Sequence, residues 1–302
     1  MGHLAGMSRM NEYVNVRASE ILNQDELVAF LKSKFGKAVR KRVRRVHVAR
    51  TECVELRVPS KSAEFDEIRQ FIEAKRKQGL DGFEFPIGRY LRKYSLTDLQ
   101  QAEVLKLEIM PHFDSPGQES GTIYETLCDH CNFGRQVSEL VVDLRRVPKL
   151  KDISETIARI EWIVSSKFEQ TFLENKLKGA EFRGIFDRRY PTKKSKDWHQ
   201  LWVTSHAGQL AEATKLGRDP FKPDQVSWRC PLGHSIATQF LSEIYLRRDA
   251  WGGSDIAITT DLFGQGRGFI RPFPLIMISQ RMYRALQMTG LKGLSYEVAH
   301  LV

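Results

Sequence analysis

Three of the four cysteines in this chain sit in two short stretches whose spacing suits a metal ion. Cys128-Asp129-His130-Cys131 is a Cys-x-x-Cys turn, in which a tight reversal brings both sulfurs to one side with backbone N–H groups facing them. Cys230-Pro231-Leu232-Gly233-His234 looks like half of the same device: glycine stands where the second thiolate would be, and a histidine follows it. A structural zinc takes four cysteine or histidine ligands tetrahedrally, so the implied set is Cys128, Cys131, Cys230 and His234 on one structural Zn2+. Pro231 and Gly233 are turn residues that let the backbone fold around the ion. His130 and His206 are the rivals for the fourth place.

Other chemistries fit less well. A redox Cys-x-x-Cys is activated at a helix N-terminus, yet NFGRQVSELVVDL after Cys131 reads as a turn and a strand. A catalytic zinc needs an open position, and four protein ligands close it. His199, in WHQLWV (198–203), falls in a period-two pattern and reads as a buried or edge histidine of a strand. GQGRGF (264–269) opens no helix, so the phosphate-loop reading fails on context; it reads as a flexible loop, as does RRYPTKKSKD (188–197). No nucleophile–base pair or carboxylate pair has a meaningful spacing, and a non-enzymatic protein is expected.

The elements that must position the ligands repeat. VSELVVDLRR (137–146), KDI (151–153) and IVSSKFEQTFLENKLKGAEF (163–182) are matched by LSEIYLRR (241–248), SDI (254–256) and MISQRMYRALQMTGLKGLSY (277–296). In the last pair Ser165 aligns with Ser279, Phe168 with Met282, Phe172 with Leu286, Leu177-Lys178-Gly179 with Leu291-Lys292-Gly293, and Phe182 with Tyr296. Each serine reads as a helix N-cap, the apolar positions as one buried helix face, and Leu-Lys-Gly-x-x-aromatic as the turn into a closing strand. A cysteine turn precedes each copy, so two equivalent knuckles can meet on one metal. A looser third copy is IRQFIEAKRKQGLDGFEF (68–85), which shares Leu80, Gly82 and Phe85.

The chain has 302 residues, 41% hydrophobic and 28% charged, which is ordinary globular composition with room for about two domains. No run approaches the length of a membrane span, and the start lacks the pattern of a secretory signal, so a soluble, cytoplasmic protein is expected. Cys53, in TECVELRV, reads as a small buried hydrophobe of a strand. Much of the net charge of +10 is local, in KAVRKRVRRVHVAR (37–50), where Arg40, Lys41, Arg42, Arg44 and Arg45 are candidate contacts to nucleic acid or to an acidic partner. Aromatic interleaving is absent there, and a solvated charged face is the plainer reading. The segment 112–122, rich in Pro, Gly, Ser and charge, reads as a linker. The expected fold is α+β: an N-terminal α/β segment over 1–120, then 121–302 with two repeated α/β modules (about 126–187 and 228–302), intertwined and joined through a zinc-ribbon-like pair of knuckles.

The paired knuckles, the Ser-Glu strands, Asp-Ile, the Val-Ser-capped helix and the closing GLKGLSYEVAH resemble the double-CXXCG motif proteins of myxobacteria over about residues 121–302. CDHCNFG (128–134) departs from that motif in its delayed glycine, and CPLGH (230–234) in its missing second cysteine. One branch of that family comprises immunity proteins against swarm-inhibition toxins. The resemblance therefore implies a zinc-binding immunity protein that neutralises a cognate bacterial toxin by direct binding. The alternative is a nucleic-acid-binding zinc-ribbon protein that uses the basic run.

Overall fold

The computed structural model describes residues 10–46, 49–84, 87–110, 112–113, 120–158, 160–222, 228–236, 239–264 and 271–302. Within these, the side chains at 21, 42–46, 49–52, 81, 84, 228–229 and 235–236 lie outside the description. The architecture is mixed α+β. The chain divides into two units. Met1–Ser95, Lys215–Val226 and Gln239–Ser242 form the first; Leu96–Thr214, Ser227–Thr238 and Glu243–Val302 form the second.

The first unit runs β1 (Asn11–Ser19), α1 (Asp25–Phe35), β2 (Arg40–Val46), β3 (Ala49–Pro59), α2 (Ala63–Lys77) and β4 (Gly88–Lys93). Its four strands lie in the order β2-β3-β1-β4, all antiparallel, which is the split β-α-β-β-α-β arrangement. Alternation explains which face is covered. Val14, Val16 and Ala18 of β1, with Val54, Leu56 and Val58 of β3, pack with Leu27, Val28 and Leu31 of α1 and Phe65, Ile68 and Ile72 of α2. Ser62 caps α2 by accepting from the Phe65 N–H at 3.2 Å.

The second unit begins with α3 (Leu96–Gln101), β5 (Val104–Ile109) and β6 (His112–Phe113). A hairpin, β7 (Tyr124–Cys128) and β8 (Phe133–Gln136), follows, then β9 (Leu140–Val142), β10 (Ile153–Thr156), β11 (Trp162–Ser165), α4 (Ser166–Glu174) and β12 (Ala180–Asp187). The same kinds of element then recur. They are β13 (Tyr190–Val203), β14 (His206–Gly208), β15 (Leu216–Gly217), β16 (Trp228–Arg229), β17 (Ser235–Ile236), β18 (Gln239–Phe240), β19 (Ile244–Leu246), β20 (Ile256–Phe263), β21 (Phe273–Ser279), α5 (Gln280–Met288) and β22 (Leu294–Leu301). Of these, β15 and β18 pair with each other and belong to the first unit.

Two six-stranded sheets result, ordered β6-β10-β11-β13-β12-β9 and β14-β20-β21-β5-β22-β19. They correspond strand for strand, down to the parallel edge pairs β9–β12 and β19–β22. Their centres are exchanged. β5 precedes the first knuckle but pairs with β21 and β22, while β13 precedes the second knuckle and pairs with β11 and β12. The registers agree: Ser165 faces Trp198 as Ser279 faces Val104, and Phe182 faces Leu201 as Tyr296 faces Leu107. Each copy thus lends its first strand to the sheet of the other. This exchange is why the division falls after Ser95 and not within 112–122: β5 has its partners far downstream, and a cut at 120 would remove the centre of a sheet.

The third copy, 68–85, begins within α2, and its unit shares the order of the other two: a hairpin, a capped helix, a returning strand, and the copy's first strand type inserted in the middle. Here, however, β1 stays in its own sheet, and α1 occupies the stretch of chain that holds a knuckle in the other copies.

Reciprocal hydrogen bonds join the paired copies. Ser165 Oγ accepts from the Phe168 N–H and donates to Asp152 Oδ1 at 3.0 Å; Ser279 Oγ accepts from the Met282 N–H and donates to Asp255 Oδ1 at 2.8 Å. The other oxygen of each aspartate accepts from the opposite copy: Asp152 from the Lys292 N–H at 2.8 Å, Asp255 from the Lys178 N–H at 3.0 Å. The glycines of the two Leu-Lys-Gly turns, Gly179 (φ +110) and Gly293 (φ +99), lie against the other copy's backbone, where a Cβ would come within 2.0 Å of the Ile256 carbonyl and 2.5 Å of the Ile153 carbonyl. Only glycine serves there.

One expectation fails locally. The stretch 188–197, expected as a loop, becomes strand from Tyr190 onward, because β13 runs past the sheet beside β12, with Phe186 opposite Lys194. Its side chains are mostly exposed and charged, so the sequence carries no apolar alternation to betray a strand.

Candidate metal centre

Both knuckles are hairpin tips. In the first, β7 and β8 pair with Cys128 opposite Phe133 after a register shift at Thr126, and Asn132 takes the left-handed conformation (φ 56) that closes the turn. In the second, β16 pairs with β17; the Gly233 N–H donates to the Cys230 carbonyl at 2.8 Å, and the Cys230 N–H to the His234 carbonyl at 3.0 Å. Gly233 has φ +85, so its place in the motif is one that a second cysteine would hold only under strain. The turn that costs this copy its second thiolate delivers His234 instead.

The ligand atoms of Cys128, Cys131, Cys230 and His234 all lie within 4.8 Å of one another. Cys128 Sγ is 3.8 Å from Cys230 Sγ, and His234 Nδ1 is 3.3 Å from the sulfurs of both Cys131 and Cys230. A tetrahedral ion with metal–sulfur bonds of about 2.3 Å has sulfur–sulfur edges of about 3.8 Å. The group fits such an ion, through Nδ1 of the histidine. A disulfide needs sulfurs about 2.05 Å apart, and all four cysteines are free thiols.

The surroundings suit thiolates. The three sulfur ligands are 1–3% exposed, His234 is half-buried, and Phe133 packs against the cluster with its ring 5.3 Å from the imidazole. Burial raises the Cys128 thiol, but the backbone N–H groups of Cys131 and His130, with the neighbouring Cys131 and Cys230 side chains, outweigh it and leave it below the ordinary range. Cys131 is pushed up to about 12 by burial and by the Cys128 thiolate beside it. The two thiols of the first knuckle are thus shifted in opposite directions, and a bound dication would favour the thiolate form of its cysteine ligands. His130 and His206 are both exposed and stand outside the cluster.

Behind the first knuckle lies a set of residues that the sequence alone did not flag. Tyr124 on β7 carries the Arg271 guanidinium over its ring at 4.0 Å, and the buried Glu161 bonds the Thr156 hydroxyl. Burial raises the Glu161 carboxyl, and burial with the Glu161 charge raises the Tyr124 phenol. These residues come from three separate stretches, and nothing in their spacing links them.

The basic run is an edge strand. Arg40 and Lys41 are exposed on β2, with Arg40 opposite Glu55. Arg42, Arg44 and Arg45 follow in the same strand, and their side chains lie outside the described residues. His199 sits on β13 with Nε2 3.2 Å from both the Ser166 hydroxyl and the Glu169 carboxylate, tying that strand to α4. Cys53 is buried in β3. Apart from Gly264, GQGRGF lies outside the described residues. Among the described residues, no helix is long and apolar enough to cross a membrane.

Compared with protein-family models and with curated proteins, the chain has no match.

Proposed function

We propose that this chain is a non-enzymatic binding protein whose paired copies are held by a structural zinc ion in a zinc-ribbon-like arrangement of two hairpins. The observation that carries this reading is the group of Cys128, Cys131, Cys230 and His234, with all ligand atoms within 4.8 Å of one another. Four protein ligands leave no position for substrate or activated water, which favours a structural ion over a catalytic one. Cysteine-rich tetrahedral sites favour zinc among common divalent ions. The partner class comes from the resemblance to the double-CXXCG proteins alone: a cognate bacterial toxin, neutralised by direct binding in the cytoplasm.

Elemental analysis of the purified chain should give one zinc per chain, and His234→Ala should lower that ratio while His130→Ala leaves it intact. A metal-free parent protein ends the zinc reading. For the partner, coexpression with the product of a neighbouring gene should protect cells from it. Protection that survives only with the zinc ligands intact ties the two parts of the reading together.

A further inference from the structure

Among the described residues of the first unit, both helices pack on one face of the sheet. On the other face the register sets three rows across the strands. Arg40, Glu55 and Arg17 form one row, Arg57, Asn15 and Arg89 the next, and Pro59, Tyr13 and Leu91 the third, with Lys93 beyond it opposite Asn11. These are the positions that alternate with the core-facing Val14, Val16, Val54, Leu56 and Val58. Arg40, Arg57, Arg89 and Lys93 are exposed, Arg17, Tyr13 and Leu91 are half-buried, and Asn15 and Glu55 lie buried between them. Among the described side chains this face holds five cations and one carboxylate, Glu55, whose Oε1 lies 2.6 Å from Arg17 Nε.

From this we infer that the open face of the β2-β3-β1-β4 sheet binds a single-stranded polynucleotide. Guanidinium groups at both sides of the sheet suit a phosphodiester chain crossing it. Tyr13, near the middle, offers a ring for a base, with the Lys93 ammonium already 5.7 Å from its centroid. Four-stranded sheets with exposed aromatics and cations are a recurrent platform for unpaired bases. The surface differs from the basic run read in the sequence. Arg17, Arg57 and Arg89 come from strands far apart in the chain, and among the described side chains only Arg40 belongs to both. Its charge sets it apart from an ordinary solvated face, on which cations and carboxylates alternate. The inference is independent of the toxin reading, which rests on residues 121–302.

The test uses the full zinc-loaded chain and fluorescence anisotropy with labelled oligonucleotides of about 20 nucleotides. RNA and DNA single strands of one sequence and the matching duplex are the three probes. Binding to either single strand is expected, tighter than to the duplex. Arg57→Gln, Arg89→Gln and Lys93→Gln together should weaken it at least about tenfold and reduce the slope of log affinity against log salt by about 2 (roughly 0.7 per lost contact). Tyr13→Ala should weaken it about tenfold without altering that slope. Lys149→Gln, Lys167→Gln and Lys193→Gln, which remove equal charge from the second unit, should change neither. Should the triple variant fail to fold, Arg57→Gln alone decides, through a slope change of about 0.7. The inference is overturned if neither single strand binds, if the duplex binds better, or if the control weakens binding equally. It is also overturned if the triple variant loses only its affinity for an acidic polypeptide such as polyglutamate.

Discussion

The first copy and the paired copies solve the same problem with different materials. In each, a strand leaves the centre of a sheet, the chain must travel before returning as a hairpin, and a capped helix leads to the last strand. In the first copy that journey is α1, whose Leu27, Val28 and Leu31 join one continuous apolar core with α2 and the sheet. In the other two it is a knuckle between two edge strands, β6 and β9 or β14 and β19, and the buried cluster at the knuckles consists of the three cysteines with Phe133 against them. The first copy is closed by hydrophobic burial and keeps its own first strand; the others exchange first strands and meet at a Cys/His group that could hold a metal ion. The Cys/His group therefore stands in the two paired copies where the first copy has a helix.

The largest test of that contrast is removal of the metal. Cys128→Ser, or a strong chelator, should destabilise the second unit by several kcal/mol, since binding free energy of a structural site is folding free energy. Hydrogen exchange should locate the loss, with protection falling in β10, β11, β20 and β21 first, while β1 and β3 hold theirs. Equal loss in β1 and β3 would show that the first copy is not closed by its own core.

The converse change is Ile68→Ala in α2. Ile68 is wholly buried in the first core, and truncation of such a residue costs about 2–5 kcal/mol. The zinc-to-chain ratio should stay that of the parent. A drop in zinc would make the two regions one cooperative structure and void the comparison.

A smaller effect probes the symmetry between the paired copies. Asp152→Ala strands the Ser165 hydroxyl and the Lys292 N–H, and Asp255→Ala strands the Ser279 hydroxyl and the Lys178 N–H; each should cost about 1–3 kcal/mol in urea unfolding. Asp255 also accepts from Arg281 Nη1 at 3.1 Å, so its loss should be the greater. Equal costs would mean that the Arg281 bond adds nothing, and a reversed order that the two copies do not depend equally on their matching hydrogen bonds.

How much of this was legible follows from sequence distance. The two serine caps, the Leu-Lys-Gly turns and the four ligands could be read because each is a local pattern that occurs twice. The strand exchange could not, because Val104–Ile109 carries the same alternation whether it pairs with a neighbour or with β21 and β22. The compact units therefore divide at Ser95, upstream of the 112–122 segment that composition suggested. The run at 37–50 drew attention because its charges are contiguous, yet it supplies one edge of a cationic face whose other members are Arg17 on β1, Arg57 on β3, and Arg89 and Lys93 on β4. Glu161, Tyr124 and Arg271 were invisible on the same ground.

The smallest effect concerns the ends of matching strands. After β9, Asp143 binds Arg145, with Oδ2 2.7 Å from Nη2; after β19 the same pair appears reversed, Arg247 binding Asp249 at 2.6 Å. The reversal changes what acid does. Hydrogen bonds from the Arg145 side chain and backbone N–H, opposed in part by burial, hold the Asp143 carboxyl down to about 2. An unfolded aspartate titrates near 3.9. Because the folded value is the lower one, the pair's contribution is fully present above the unfolded value and is lost as pH falls from there through about 2. Arg145's side chain is 63% exposed, so solvent screens the pair and its worth is about 1 kcal/mol or less. Asp143→Asn should therefore lower stability slightly at pH near 6, and the gap from the parent should close as pH falls below about 4. Any effect of acid on the Cys128, Cys131, Cys230 and His234 group is common to parent and variant and cancels in that difference. Asp249, whose side chain is 67% exposed, is also held low by its arginine, yet Asp249→Asn should give a smaller gap, since water can replace the partner it loses. A larger gap at Asp249 than at Asp143, or a gap at Asp143 that widens in acid, would mean that the buried end of the pair does not set its strength.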